Sequence, residues 1–279
     1  MTEKTHFIIG GVGRTATQWL TRALNRHPHI LAAHGADWRP NKASMADPDS
    51  NHARREAVLD WLLSGQILDI DRYFSIFNDY SEEFCGNVHG IDIIGPYLYP
   101  QNFKTRLRIC HVTRHPLPRI RSMVRKCRAM GQEHPRHREM MSDFYTGQVG
   151  KIADLLERHG VAPQGEDEEN FVSCLLLIMN SDAAFLRTTA PVFRMEELTT
   201  RLECFGTLLH HVTAGRLRAS ATEIEGMMAL APVDRLGEPD DHARIMEEWA
   251  DWQRKLFRDY LERTDLRAIY TGLGYDLPC

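Results

Sequence analysis

Phe7-Ile8-Ile9-Gly10-Gly11-Val12-Gly13-Arg14-Thr15-Ala16-Thr17-Gln18-Trp19-Leu20 carries three successive local instructions. Phe7-Ile8-Ile9 is a short apolar, β-branched run bounded by glycines, which predicts a buried strand. The glycines at 10, 11 and 13 permit positive φ and close backbone approach, so successive amide N–H groups can turn inward around an anion. Trp19, Leu20, Ala23 and Leu24 then recur at helical spacing. The new helix would present the positive end of its dipole to a phosphate, with the Thr15 and Thr17 hydroxyls as donors and Arg14 as a full charge at the mouth.

A second anion pattern lies about a hundred residues on. Leu107-Arg108-Ile109-Cys110-His111-Val112 predicts a strand with Leu107, Ile109 and His111 on one face and Cys110 and Val112 on the other. Thr113-Arg114 would stand at its carboxyl end. Pro116 and Pro118 suit the first turn of a helix, where a missing N–H is harmless, so a helix is expected over about 117–130. Ser122 falls early in it, eight residues after Arg114. A strand-end Arg and a helical Ser at that separation can converge on one phosphate, by guanidinium fork and by hydroxyl. From Arg114 to Arg128 there are six Lys and Arg and no Asp or Glu. Two anion sites call for a nucleotide phosphorylated at two places.

The first loop alone leaves alternatives open. Gly11-x-Gly13-x-x-Ala16 also satisfies the loose dinucleotide fingerprint, with Asp37 roughly where a ribose-binding acid would stand, as in an NAD(P)-dependent oxidoreductase. A kinase-type phosphate loop needs Gly-Lys-Ser/Thr at its end, and the chain has no such triplet. Further along, 190–194 reads as another strand, and helix-like segments fall at about 54–64, 137–158, 168–187 and 241–263. The last carries Ile245, Trp249, Trp252, Leu256 and Tyr260 in one stripe. Strands alternating with helices predict an α/β fold, a three-layer parallel sheet with right-handed crossovers whose ligands bind beyond the strands' carboxyl ends.

These residues resemble the sulfotransferases that use 3′-phosphoadenosine 5′-phosphosulfate (PAPS). Arg14-Thr15-Ala16-Thr17-Gln18-Trp19-Leu20 is similar to that family's 5′-phosphosulfate loop, and Arg114 with Ser122 to its 3′-phosphate site at the family's spacing. His27-Pro28-His29-Ile30 resembles the His-Pro-x-Ile that follows the first helix in bacterial members. Phe193-Arg194-Met195-Glu196-Glu197-Leu198 is similar to the family's strand-to-helix segment. Trp249, Trp252-Gln253 and Leu273-Gly274-Tyr275 resemble the terminal helix and its closing Gly-Tyr. Ala16 stands where the family has Gly, and Gln18 where it has a second Thr or Ser. The resemblance implies a P-loop NTPase-like sulfotransferase fold. It implies a donor site of Gly11, Gly13, Arg14, Thr15, Ala16, Thr17, Gln18, Trp19, Arg114 and Ser122, with PAPS as sulfuryl donor and 3′-phosphoadenosine 5′-phosphate (PAP) as product.

Composition is compatible with this reading. The 279 residues show no Pro/Gly/Ser-rich linker, so one domain over 1–279 is expected. No run approaches the roughly 18–20 apolar residues of a membrane span, and no apolar signal segment precedes the first loop, so a cytoplasmic, bacterial-type enzyme is expected. The net charge of −4 argues against a general nucleic-acid binder, and a local basic patch suits a small anionic nucleotide better. The six cysteines lack Cys-x-x-Cys spacing and read as free thiols, with Cys110 and Cys174 as core residues. His134 with His137, and His210 with His211, come without a matched second pair, so no metal is expected. Glu166-Asp167-Glu168-Glu169 reads as a helix start.

Sulfuryl transfer requires charge stabilisation and a base. Arg14 is the candidate for stabilising the bridging oxygen as the bond breaks. The candidate general bases are His34, Asp37 and Asp92. An imidazole has the better intrinsic pKa at neutral pH, while a carboxylate is what bacterial members of the family use. The acceptor is a hydroxyl or amine of a small molecule, glycan or lipid. The aromatics Trp38, Tyr73, Phe74, Phe77, Tyr97 and Tyr99 would line its pocket or simply pack. A noncatalytic nucleotide-binding relative is the remaining alternative.

Overall fold

Phe7, Ile8 and Ile9 are at most 2% exposed, as an apolar run covered on both sides must be, and they sit in the middle strand of a parallel sheet. The computed structural model describes residues 4–11, 14–34, 80–88, 107–133, 165–229 and 242–277, with Phe74, Phe77 and Glu157 as isolated positions. In chain order the elements are β1 Thr5–Gly10, α1 Thr17–Leu24, β2 Ile30–His34, β3 Phe84–Val88, β4 Leu107–Thr113, α2 Pro116–Glu133, α3 Glu166–Phe185, β5 Val192–Arg194, α4 Met195–Leu198, α5 Leu202–Val212, α6 Ala221–Met228, α7 His242–Glu248, α8 Asp251–Arg263 and α9 Leu266–Gly272. Among the described residues the five strands are all parallel, ordered β2-β3-β1-β4-β5, and flanked by helices, which is the α/β class expected.

The strands expected at 7–9, 107–112 and 190–194 are β1, β4 and β5 to within two residues. β2 and β3 were not anticipated. β3 reads Phe84-Cys85-Gly86-Asn87-Val88, whose Gly and Asn are poor strand formers. Packing demands that glycine: a Cβ on Gly86 would lie 2.2 Å from the Phe7 carbonyl oxygen and 2.4 Å from its ring.

Contacts group the chain into two units, the first comprising Met1–Gly11, Thr15–Thr113 and Ala190–Leu236. It contains the whole sheet. Phe7, Ile9, Ala32, Phe84, Val88, Cys110 and Val112 form one face of a core with residues of α1, α5 and α6. Cys110 and Val112 therefore share a face, as their parity required. Trp19 packs edge-on against Phe205, centroids 5.9 Å apart. The His211 ring ties α5 to β4, donating to the Ile109 carbonyl at 2.9 Å, while Arg108 Nε donates to the His211 carbonyl at 3.1 Å. Phe74 and Phe77 pack with each other and with His6.

The second unit comprises Val12–Arg14, Arg114–Thr189 and Gly237–Cys279. α2 and α3 run antiparallel: Arg119 meets Asp182, Cys127 meets Cys174, and Arg128 meets Asp167. Arg119, wholly buried, grips Asp182 by two bonds of 2.7 and 3.0 Å, and the Tyr270 hydroxyl donates to the same carboxylate at 2.5 Å. The helix expected over 241–263 is two helices, α7 and α8. The Ala250 N–H is capped by Gln253 Oε1 at 2.8 Å, and Arg254 donates to the Met246 and Trp249 carbonyls at 2.9 and 2.6 Å. Asp251 and Gln253 supply a helix start inside the apolar stripe, which periodicity alone overlooks. The stripe itself is internal, with Phe171 edge-on to Trp249 and Trp252. Among the described residues no helix is long and apolar enough to cross a membrane.

Candidate functional site

The loop leaving β1 lies tight against the end of β4. A Cβ on Gly11 would stand 3.1 Å from the Val112 carbonyl oxygen and 3.0 Å from Thr15 Oγ1, so close approach explains this glycine. Positive φ, expected of the glycines, is not found at Gly10 or Gly11. Among the described residues of the loop it is Arg14 (72°) and Ala16 (48°) that adopt the left-handed conformation. Ala16 is the N-cap of α1 at φ 48, ψ 33. The alanine here holds a conformation costing an L-residue about 1–2 kcal/mol.

Thr15 and Thr17 are buried beside that turn, and α1 has no acidic residue in its first turn to compete for an anion. His34, at the carboxyl end of β2, brings Nε2 to 3.1 Å from Thr17 Oγ1. A candidate base and a candidate phosphate donor, seventeen residues apart, thus meet within the first unit. Gln18 is exposed, whereas the Trp19 side chain is a core residue.

In the second unit Arg14 Nε donates to Ser122 Oγ at 2.7 Å across 108 residues of chain, and Arg114 Nη1 reaches the Arg14 carbonyl at 3.5 Å. All three side chains are half-buried. The sequence assigned Arg14 to one phosphate and Arg114 with Ser122 to another; here the three form one cationic cluster. Other bases of the 114–128 stretch have structural partners drawn from elsewhere in the unit. Arg119, Arg121 and Arg128 pair with Asp182, Glu248 and Asp167, so the local absence of acids overstated the free positive charge.

His115, next to Arg114, is a residue that the motif reading passed over. Its Nδ1 accepts from the Leu117 N–H at 3.3 Å and its Nε2–H donates to the Asp276 carbonyl at 2.8 Å, which fixes one neutral tautomer. The ring stacks on His242 at 3.5 Å and meets the edge of Tyr275. Burial pushes its pKa down to about 4. Gly274, at φ 79°, lets the chain turn so that the Tyr275 N–H bonds the Tyr270 carbonyl at 3.0 Å. The closing Gly-Tyr therefore buttresses the residue beside Arg114.

No family model and no curated protein matches the chain. A solved structure is similar. It is a sulfotransferase from Alicyclobacillus acidocaldarius, 15% identical, with a TM-score of 0.45 over 98% of this chain and 97% of that one.

The strand order bears on the dinucleotide reading of Gly11-x-Gly13-x-x-Ala16. That fold places its second strand beside the first, so the acid ending the second strand reaches a ribose above the first loop. Among the described residues β3 separates β1 from β2, and β1 pairs with β3 and β4. Gly13, Asp37 and Asp92 lie outside the described residues, as do Trp38, Tyr73, Tyr97, Tyr99, His134, His137 and the segment expected to be helical over 54–64. The one expected over 137–158 does too, apart from Glu157.

Proposed function

We propose that this chain is a cytoplasmic PAPS-dependent sulfotransferase, a single catalytic domain acting on a hydroxyl or amine of a small-molecule, glycan or lipid acceptor. The observation that carries the reading is the cluster of Arg14, Arg114 and Ser122 in one hydrogen-bonded group. Two guanidinium groups and a hydroxyl are a donor set suited to phosphate oxygens. Thr15, Thr17 and the tight turn after β1 supply hydroxyls and amides of the same preference.

When bound, the nucleotide supplies a sulfuryl group for in-line transfer, a reaction in which positioning and charge stabilisation do most of the catalysis. Arg114 and Ser122 are assigned to the 3′-phosphate. Gly11, Gly13, Thr15, Ala16, Thr17 and Gln18 are assigned to the 5′ end. Arg14 counters charge on the leaving oxygen. His34 takes the acceptor proton at Nε2, the atom now facing Thr17 Oγ1; Asp37 and Asp92 are the alternative bases.

Calorimetric titration with PAP and with NAD tests the nucleotide class. PAP binding with no NAD heat is expected; the reverse would overturn the proposal in favour of an oxidoreductase. Transfer of labelled sulfate from PAPS in a screen of hydroxylated metabolites is expected as well. Tight PAP binding without transfer to any acceptor class would favour a noncatalytic relative.

A further inference from the structure

Cys127 on α2 and Cys174 on α3 face each other with sulfurs 3.6 Å apart, Cys174 donating its S–H to Cys127. Their place in the helix pair is fixed by its register. From the Arg119–Asp182 rung to the cysteine rung, α2 advances eight residues and α3 retreats eight, about 12 Å along each helix. A buried two-bond ion pair on one side and the Arg128–Asp167 bond at 2.8 Å on the other hold the two sulfurs in opposition. The two sulfurs are thus neighbours, with the roughly 2.05 Å of a disulfide bond still to be closed.

The two thiols differ in a way that assigns roles. Cys127 is half-buried and follows Lys126, whereas Cys174 is buried. The hydrogen bond from Cys174 and the Lys126 charge hold the Cys127 thiol below its ordinary pKa, against the opposing effect of burial; the same bond and burial hold Cys174 well above. Attack on an oxidant falls to the more acidic, more accessible thiol, and resolution to its neighbour.

We propose that Cys127 and Cys174 form a hydroperoxide-reactive dithiol site that closes reversibly to an α2–α3 disulfide. The Cys127 thiolate attacks the terminal oxygen of a hydroperoxide. An S–O bond forms, the O–O bond breaks, and the leaving alkoxide or hydroxide takes a proton as alcohol or water. Cys174 sulfur then attacks Cys127 sulfur, the S–S bond forms, and the expelled hydroxide leaves as water with the Cys174 proton. The net change converts two thiols and one hydroperoxide into one disulfide, one alcohol or water, and one further water. A small dithiol reductant reverses it by exchange.

Treating the full chain with hydrogen peroxide, alkylating the remaining thiols and mapping the peptides tests this without any variant. The expected product is a Cys127–Cys174 cross-linked peptide pair, lost on treatment with dithiothreitol, while Cys85, Cys110, Cys204 and Cys279 are alkylated as before. In Cys174→Ser, Cys127 should accumulate as a sulfenic acid trapped by dimedone; in Cys127→Ser, Cys174 should stay reduced. Full alkylation of both cysteines after peroxide would overturn the proposal. So would a cross-link to any other cysteine, or oxidation of Cys127 to sulfinic acid without a cross-link.

Discussion

Arg114 could be placed just past a strand and Ser122 early in a helix from sequence because the relation is local: a strand end, two prolines and a helix offset fix their separation. Replacing Arg114 by Ala removes a charged donor and should weaken PAP binding about 10- to 100-fold by calorimetry, the equivalent of roughly 1.5–3 kcal/mol. Affinity equal to wild type would detach Arg114 from the 3′-phosphate. Arg14→Ala should lower kcat by about two to three orders of magnitude in a labelled-sulfate assay. The left-handed backbone at Ala16 could not be read, because alanine is a poor occupant of that conformation and no nearby residue announces it. Ala16→Gly should relieve about 1–2 kcal/mol of strain while loosening the unfolded chain by a little less. Its denaturation midpoint should therefore match or exceed that of wild type, unlike the loss that Ala→Gly produces inside a helix.

At the level of elements, the helices were legible where one stripe of apolar residues ran unbroken and illegible where a polar cap interrupted it, as at Ala250 to Gln253. The strands were legible where β-branched residues clustered. β3 escaped because its glycine is dictated by Phe7, nearly eighty residues away, and no local pattern encodes that contact. Gly86→Ala should cost about 3 kcal/mol or more in urea unfolding, since the clash is with backbone as well as ring. The α2–α3 pair rests on a carboxylate that answers both a buried guanidinium and a phenol. Asp182→Asn would leave Arg119 charged and poorly matched in the interior, a loss of about 3–5 kcal/mol. Unfolding stability within 1 kcal/mol or so of wild type would contradict that role for the ion pair.

For the molecule as a whole, alternation of strands and helices announced a parallel sheet, but strand order was hidden, since nothing in the chain says that β3 inserts between β1 and β2. Two buried imidazoles set a pH limit. Burial pushes His111 and His115 each down to about 4, while in the unfolded chain each titrates near 6.5. Their contribution is complete above pH 6.5 and is lost as pH falls from there through about 4, because the unfolded chain takes up protons that the fold refuses. Urea midpoints should therefore drop across that window, with a shallower drop in His115→Gln than in wild type. The central position of β1 also has a consequence for biosynthesis. The partners of Phe7-Ile8-Ile9 on either side, β3 and β4, are completed only when the chain has grown to Thr113. At ordinary translation rates that wait is about 5–20 s. Throughout it the apolar tripeptide lacks a neighbouring strand on at least one side.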